Sequence, residues 1–221
     1  VLIGIALLAA LFNLFFYRIV HEKIYLSFSL FLIYFGLASF FGKYAPLAAE
    51  TSGAFLKEYP FLVNAVYFIS YDLMFFYFFY FLRDYFKIST HYPKWNEFLK
   101  VIGVYYLIIP IAPLLIPFLS DGWNQILIWL QIIMRDIAIF VLLLTCFLFI
   151  WIEKFASYRW LYLFPFLLRS LTAPALDTYY LFLPGFFNYP VRSTTPGWIQ
   201  WLANWGALIE LACLWWLVLF F

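Results

Sequence analysis

Charged residues are scarce in this chain. Only 11% of its 221 residues are charged and 67% are hydrophobic, against about 25% and 45–50% in a typical soluble domain. The net charge of +2 is too small for the basic field of a nucleic-acid-binding protein. The composition therefore predicts an integral membrane protein whose main partner is the lipid bilayer, with no nucleic acid.

Cysteines and catalytic motifs are also few. The two cysteines, Cys146 and Cys213, both fall in apolar runs, which excludes an extracellular disulfide framework. There is no Ser-His-Asp order, Gly-rich phosphate loop or HExxH motif. His21 and His91 have no second ligand at the spacing of a metal site. We therefore expect no catalytic residue, no cofactor and no metal.

Two features of other membrane proteins are missing as well. The first residues, VLIGIALLAALF, have no Met, basic n-region or A-x-A site, so we do not expect them to be a signal peptide. The last two apolar runs contain no Lys, which a retinal-binding rhodopsin needs for its Schiff base. Because apolar runs stand at both ends, we expect the chain to be a domain of a longer protein.

Long apolar runs fill the rest of the sequence. About 20 apolar residues cross the hydrocarbon core as a helix. The sequence predicts an all-α bundle of seven transmembrane helices, with the spans at 1–17, 24–41, 61–82, 98–119, 125–150, 160–183 and 198–221. Residues 42–60 and 83–97 are expected to be loops. Pro110, Pro113 and Pro117 predict that the outer half of the fourth span is kinked or partly unwound.

The distribution of Lys and Arg predicts the orientation. The connections on one side of the bundle contain 8 of these residues and those on the other contain 3, while Arg135 and Arg169 lie inside the membrane. The positive-inside rule then places the N-terminus outside and the C-terminus inside.

Eight polar residues inside the predicted spans form a candidate intramembrane network: Asp72, Gln131, Arg135, Asp136, Arg169, Asp177, Asn204 and Glu210. Charges at this depth are functional candidates by default, as a polar switch or a proton path. The structural alternative is interhelical attachment, at about 0.6 kcal/mol per contact.

The fifth span contributes three members of this network. Gln131 lies one helical turn from Arg135 on the same face, and Asp136 points about 100° away from Arg135. From depth alone, we expect Arg135 to pair with Asp72 or Glu210. On the same ground, we expect Asp136 to pair with Arg169.

Residues 83–85, Arg-Asp-Tyr, stand at the inner end of the third span. They invert the acidic-Arg-Tyr triplet of eukaryotic seven-helix receptors, and an Asn-Pro-x-x-Tyr run is missing from the last span. We interpret them as an interface cluster whose arginine snorkels towards the headgroups.

Four features resemble the membrane domain of the bacterial seven-transmembrane receptors with diverse intracellular signalling modules. They are IYLSF at 24–28 running to Gly42, FLR at 81–83 followed by Pro93, GALIEL at 206–211, and the seven-span order with the N-terminus outside. The resemblance implies an extracellular carbohydrate-binding-like domain before this region. It also implies a cytoplasmic histidine kinase, nucleotide cyclase, diguanylate cyclase or phosphatase after it. A homodimer is implied by the resemblance alone, because no small-xxx-small face stands out.

We therefore expect a non-enzymatic sensor domain in the bacterial inner membrane, such as that of a two-component system. It would couple an extracellular stimulus to a cytoplasmic output module. The alternative is a small proton- or solute-coupled transporter or channel, favoured by proline-broken spans and midplane acids but not by any internal repeat. A purely structural membrane anchor is a third hypothesis.

Overall fold

The computed structural model describes residues 2–44, 60–111, 114, 121–149, 209 and 212–213. These residues are helical apart from short turns, and no strand occurs among them. The elements are α1 (Leu2–Val20), α2 (Lys23–Tyr44), α3 (Pro60–Tyr85), α4 (Ile88–His91), α5 (Pro93–Ile108), a 3-10 turn (Ile109–Ile111) and α6 (Asp121–Phe149). The prediction of an all-α protein is confirmed.

Three of these helices are long and apolar enough to cross a membrane. The qualifying segments among the described residues are Ile3–Val20, Lys23–Phe41 and Ala65–Tyr85. They match the first three predicted spans. The predicted spans at 160–183 and 198–221 lie outside the described residues, except for 209, 212 and 213.

The connection expected at 83–97 is largely helical instead of a polar loop. Helix α3 continues to Tyr85, α4 follows at once, and α5 begins at Pro93. Proline is favoured at the first position of a helix, because an N–H group there has no acceptor within the helix and its absence costs no hydrogen bond. Inside the connection, the side chains of Phe86 and Ile88 are buried, with 1% and 0% of their surface exposed. Apolar burial therefore orders a segment whose polar composition suggested a loop.

The distortion predicted for the fourth span begins at Pro110. Helix α5 ends at Ile108 and passes into the 3-10 turn that contains Pro110. Proline has no N–H to donate and its ring crowds the preceding turn, which explains the change of helix type. Pro113 and Pro117 lie outside the described residues.

The chain divides into two units, residues 1–131 and 132–221. In the first unit, α2 and α3 pack through a ladder of aromatic rings. Its ring centroids lie 4.9 Å apart for Phe28–Phe81, 4.7 Å for Phe31–Phe78 and 5.4 Å for Tyr34–Tyr77. Residue numbers rise along α2 as they fall along α3, so the two helices are antiparallel.

Small residues bring α1 against α2. Ala6 and Ala10 are buried, and a Cβ atom placed on Gly36 would lie 3.8 Å from the Cβ of Ala6. Near the other end of the pair, the Phe16 ring stacks on Tyr25 at 5.8 Å. Ala6 and Ala10, four residues apart, form a small face on the buried side of α1. Its partner in this structure is α2.

Helix α5 packs antiparallel on α3. The ring of Tyr106 lies 5.6 Å from Phe75 and 5.9 Å from Phe79. A Cβ atom on Gly103 would lie 3.7 Å from the ring of Tyr80. In the second unit, the described part of α6 buries Ala138, Ile139, Val141 and Leu142.

Helices α1 and α3 both end beside a non-glycine residue with a left-handed backbone. His21 has φ 58° and Lys87 has φ 49°. The His21 N–H donates to the Tyr17 carbonyl at 2.8 Å, which is the bond of a left-handed helix stop. Glycine normally occupies this conformation because it has no Cβ to crowd the backbone.

Candidate functional site

Asp72 is a buried acid within the apolar segment of α3. Only 7% of its surface is exposed, and its Oδ2 atom has no hydrogen-bond partner in the described part of the chain. Phe75 and Phe79, which contact Tyr106 of α5, follow Asp72 by three and seven residues. These intervals place all three residues on one stripe of α3. Asp72 therefore lies on the side of α3 that packs against α5.

Tyr105 brings a second polar group to this interface. Its hydroxyl is buried and has no hydrogen-bond partner among the described residues. Tyr105 directly precedes Tyr106, whose ring contacts Phe75 on the same stripe of α3 as Asp72, so the carboxyl and the phenol belong to the same α3–α5 contact. A buried polar atom without a partner costs about 1–3 kcal/mol. Asp72 Oδ2 and the Tyr105 hydroxyl are thus two buried polar atoms to which the described residues of the chain offer no hydrogen-bond partner.

The rest of the predicted network is described only in part. Asp136 is half-buried on α6. Gln131 and Arg135 belong to the same helix, but their side chains lie outside the described residues. The remaining members also lie outside them: Arg169, Asp177, Asn204 and Glu210. The pairings of Arg135 with Asp72 or Glu210, and of Asp136 with Arg169, stay predictions.

Several buried neutral groups were missed by the sequence analysis, which concentrated on ionisable residues. Asn13 Nδ2 donates to the Ala9 carbonyl, Ser29 Oγ to the Tyr25 carbonyl and Thr145 Oγ1 to the Val141 carbonyl, each at 2.7 Å. These three side chains are satisfied within their own helices, unlike Asp72 Oδ2. Tyr105 was missed too, although antiparallel pairing of the third and fourth spans would have placed it near the level of Asp72.

Arg83 stands at the end of α3, where the interface cluster was predicted. Its guanidinium lies 4.4 Å above the centre of the Tyr80 ring, and its Nη2 atom is 3.3 Å from Asp84 Oδ1. The arginine stem is covered and its charged head reaches a carboxylate at the helix end. This geometry fits a snorkelling arginine.

A second ion pair lies on α5 near the same end. Lys100 Nζ donates to Glu97 Oε1 at 2.7 Å, and Asn96 Nδ2 donates to the same oxygen at 3.3 Å. The hydrogen bond from Lys100 lowers the pKa of Glu97 from its ordinary value of 4.5. Both partners are exposed, so the pair is screened by solvent and adds little to folding stability.

No cluster of three His, Cys, Asp or Glu side chains that could hold a metal occurs within the described residues. The chain matches no protein-family model, no curated protein and no solved structure.

Proposed function

We propose that this chain is the seven-helix membrane domain of a sensor, with its N-terminus outside and its C-terminus inside the inner membrane. In this proposal it couples an extracellular stimulus to a cytoplasmic signalling module of the same protein. The three apolar helices and their antiparallel order support the membrane part of this proposal. Its seven spans and orientation rest on the apolar runs and on the distribution of Lys and Arg.

The buried oxygen of Asp72 is the observation on which the sensing role rests. A carboxyl group inside apolar helices costs free energy unless it is hydrogen-bonded, yet Oδ2 has no partner in the described part of the chain. An arrangement of the helices that gives this oxygen a donor would therefore compete with the present one. Two packings of similar free energy are what a conformational switch requires.

In this mechanism, the stimulus shifts α5 against α3. The Tyr105 hydroxyl then donates to Asp72, and the change of packing passes to the inner ends of the helices. For this transfer, the stimulus needs only to change the free-energy difference between the two helix packings. The domain itself catalyses nothing.

The first test is to determine the gene sequence that follows Phe221. A helical linker and a kinase, cyclase or phosphatase module is the expected result. A stop codon directly after these residues contradicts the proposal.

The second test measures the output activity of the full-length protein in membrane vesicles. Asp72→Asn should hold the output at its unstimulated level, because an amide NH2 in place of Oδ2 cannot accept the hydrogen bond from Tyr105 that would favour the second packing. Asp84→Asn is the matched control: it is the same substitution on the same helix, at an ion pair outside the buried site. Equal effects of the two substitutions, or an unchanged response in Asp72→Asn, contradict the proposal.

A proton- or solute-coupled transporter is the second candidate. One observation favours it: α5 changes helix type at Pro110, close in sequence to the buried Tyr105. Broken helices beside buried polar groups form the binding sites of many transporters. In liposomes loaded with a pH-sensitive dye, a transporter would give a flux that Asp72→Asn abolishes and Asp84→Asn preserves. Absence of flux from the intact chain eliminates this candidate.

A further inference from the structure

Two helix connections lie at the same end of the first unit. Helices α1 and α2 are antiparallel, as are α2 and α3, so the turn after Val20 and the connection after Tyr85 face the same way. These connections and the helix ends that adjoin them contain six basic and three acidic residues, namely Arg18, Lys23, Arg83, Lys87, Lys94 and Lys100, with Glu22, Asp84 and Glu97. This end of the unit is positively charged.

The acids of the second connection are already paired. Asp84 accepts from Arg83 at 3.3 Å, and Glu97 accepts from Lys100 at 2.7 Å. Lys87 and Lys94 are exposed, and neither has an ion-pair partner in the described part of the chain. Their two ammonium groups therefore supply the positive charge that remains available for an external anion.

The backbone holds these lysines on a rigid support. Lys87 is left-handed between Phe86 and Ile88, whose side chains are 1% and 0% exposed. The Tyr92 N–H donates to the Ile88 carbonyl at 2.8 Å, which ties α4 to the start of α5. Lys94 follows Pro93 in the first turn of α5. The segment that bears both lysines is thus ordered by its own buried core.

Aromatic side chains stand close in sequence to Lys94, in the same segment as Lys87. Tyr92 is 49% exposed and Phe98 is 42% exposed, while the Trp95 ring lies 4.9 Å from Phe98. Tyrosine and tryptophan favour the boundary between headgroups and acyl chains. Ammonium groups complement the negative charge of a phosphodiester. Aromatic rings in the same segment suit the less polar glycerol and acyl region of a lipid.

We propose that Lys87 and Lys94 bind the phosphate of an anionic phospholipid in the adjacent leaflet, and that Tyr92 and Trp95 pack beside its glycerol and acyl chains. A lipid fits better than a soluble phosphate, because the site joins two cations to exposed apolar surface at the end of a membrane-spanning helix. The bound lipid fixes the α3–α5 connection relative to the membrane surface. This inference needs only that α3 spans a bilayer and does not depend on the sensor proposal.

The test uses the full chain in detergent micelles, with retained phosphatidylglycerol and phosphatidylcholine counted by native mass spectrometry. The intact protein should prefer phosphatidylglycerol. Lys87→Gln with Lys94→Gln should weaken that binding about 30-fold, the effect of two basic residues near an anionic surface, and leave phosphatidylcholine binding unchanged. Lys87→Arg with Lys94→Arg should retain the preference and shows that the altered segment still folds.

The matched control is Arg18→Gln with Lys23→Gln, which removes the same charge from the other connection at the same end. It should change phosphatidylglycerol binding by less than about threefold, a small part of the expected loss. An equal loss in the control means that only the diffuse charge of this end attracts lipid, which overturns the site. Competition by glycerol phosphate as effective as that by phosphatidylglycerol also overturns it, since a soluble anion would then suffice.

Discussion

The ring of Phe31 in α2 stacks on the ring of Phe78 in α3, with centroids 4.7 Å apart and planes inclined by 26°. Both side chains are 2% exposed, and they form the middle rung of the ladder that joins the two helices. Replacing either ring removes a large packed surface that the neighbouring helix cannot refill.

We therefore predict that Phe31→Ala lowers the free energy of unfolding by about 3–5 kcal/mol, the usual cost of deleting a buried ring. Stability can be measured by reversible unfolding in mixed micelles. Phe15→Ala is the control, because Phe15 is 61% exposed on α1 and should change stability by less than about 0.5 kcal/mol. Equal losses at the two positions would mean that the ladder is not the main contact of this unit.

Removing the Tyr105 hydroxyl should increase stability, unlike the removal of the Phe31 ring. Because this buried group has no hydrogen-bond partner in the described part of the chain, Tyr105→Phe should raise the free energy of unfolding by about 1 kcal/mol. Tyr106→Phe is the control, since the neighbouring tyrosine is also buried but its hydroxyl is not among the unsatisfied atoms. A loss of stability in Tyr105→Phe would show that the hydroxyl is already bonded in the folded protein.

Gly36 of α2 lies where α1 packs against α2. A Cβ at this position would make ordinary contacts, at 3.8 Å from Ala6 Cβ and 4.0 Å from Leu7, so Gly36→Ala should be tolerated. Gly36→Leu should lower the free energy of unfolding by about 1–3 kcal/mol, because the longer side chain meets α1. Gly4→Leu is the control, since no atom of the described residues lies within 4 Å of the added Cβ. Equal effects of the two leucines would exclude close packing at Gly36.

The Glu97–Lys100 pair predicts a pH dependence. The pKa of Glu97 is lowered in the folded protein by the hydrogen bond from Lys100, so the folded state favours the carboxylate more than the unfolded state does. The stabilisation is present above the ordinary value of 4.5 and is lost as the pH falls through the lower pKa of the folded state. Carbon NMR of Glu97 should give a midpoint below 4.5, and Lys100→Gln should move it back towards that value. A midpoint that Lys100→Gln leaves unchanged would contradict the pair.

The buried site could be predicted from the sequence only where a charge marked it. Asp72 is conspicuous because an acid inside an apolar run must be buried or functional. Tyr105 is one of 18 tyrosines, and nothing in its neighbours tells whether its hydroxyl reaches water or an adjacent helix. That distinction depends on the rotation of α5 against α3, which is a property of packing.

A distortion of the fourth span was predicted because proline acts through its own backbone, as at Pro110, although the span itself was expected to continue to residue 119. Helix ends were missed where tertiary burial decides. The polar residues between Arg83 and Glu97 suggested a loop, but Phe86 and Ile88 are buried and the segment is largely helical. For the same reason, the alanines of α1 were not recognised as a packing face: an alanine in an apolar run has the same sequence appearance whether it faces lipid or a partner helix.

The order of packing in the first unit has a consequence for biosynthesis. Its main helix contacts join neighbours along the chain, α1 with α2, α2 with α3 and α3 with α5. Such local contacts form quickly and need no distant segment to be present. The α1–α2 hairpin can therefore close while the ribosome is still translating α3. Helix α3 then packs against the aromatic rings of α2 as it enters the bilayer. Each new helix therefore packs on a helix that has already formed.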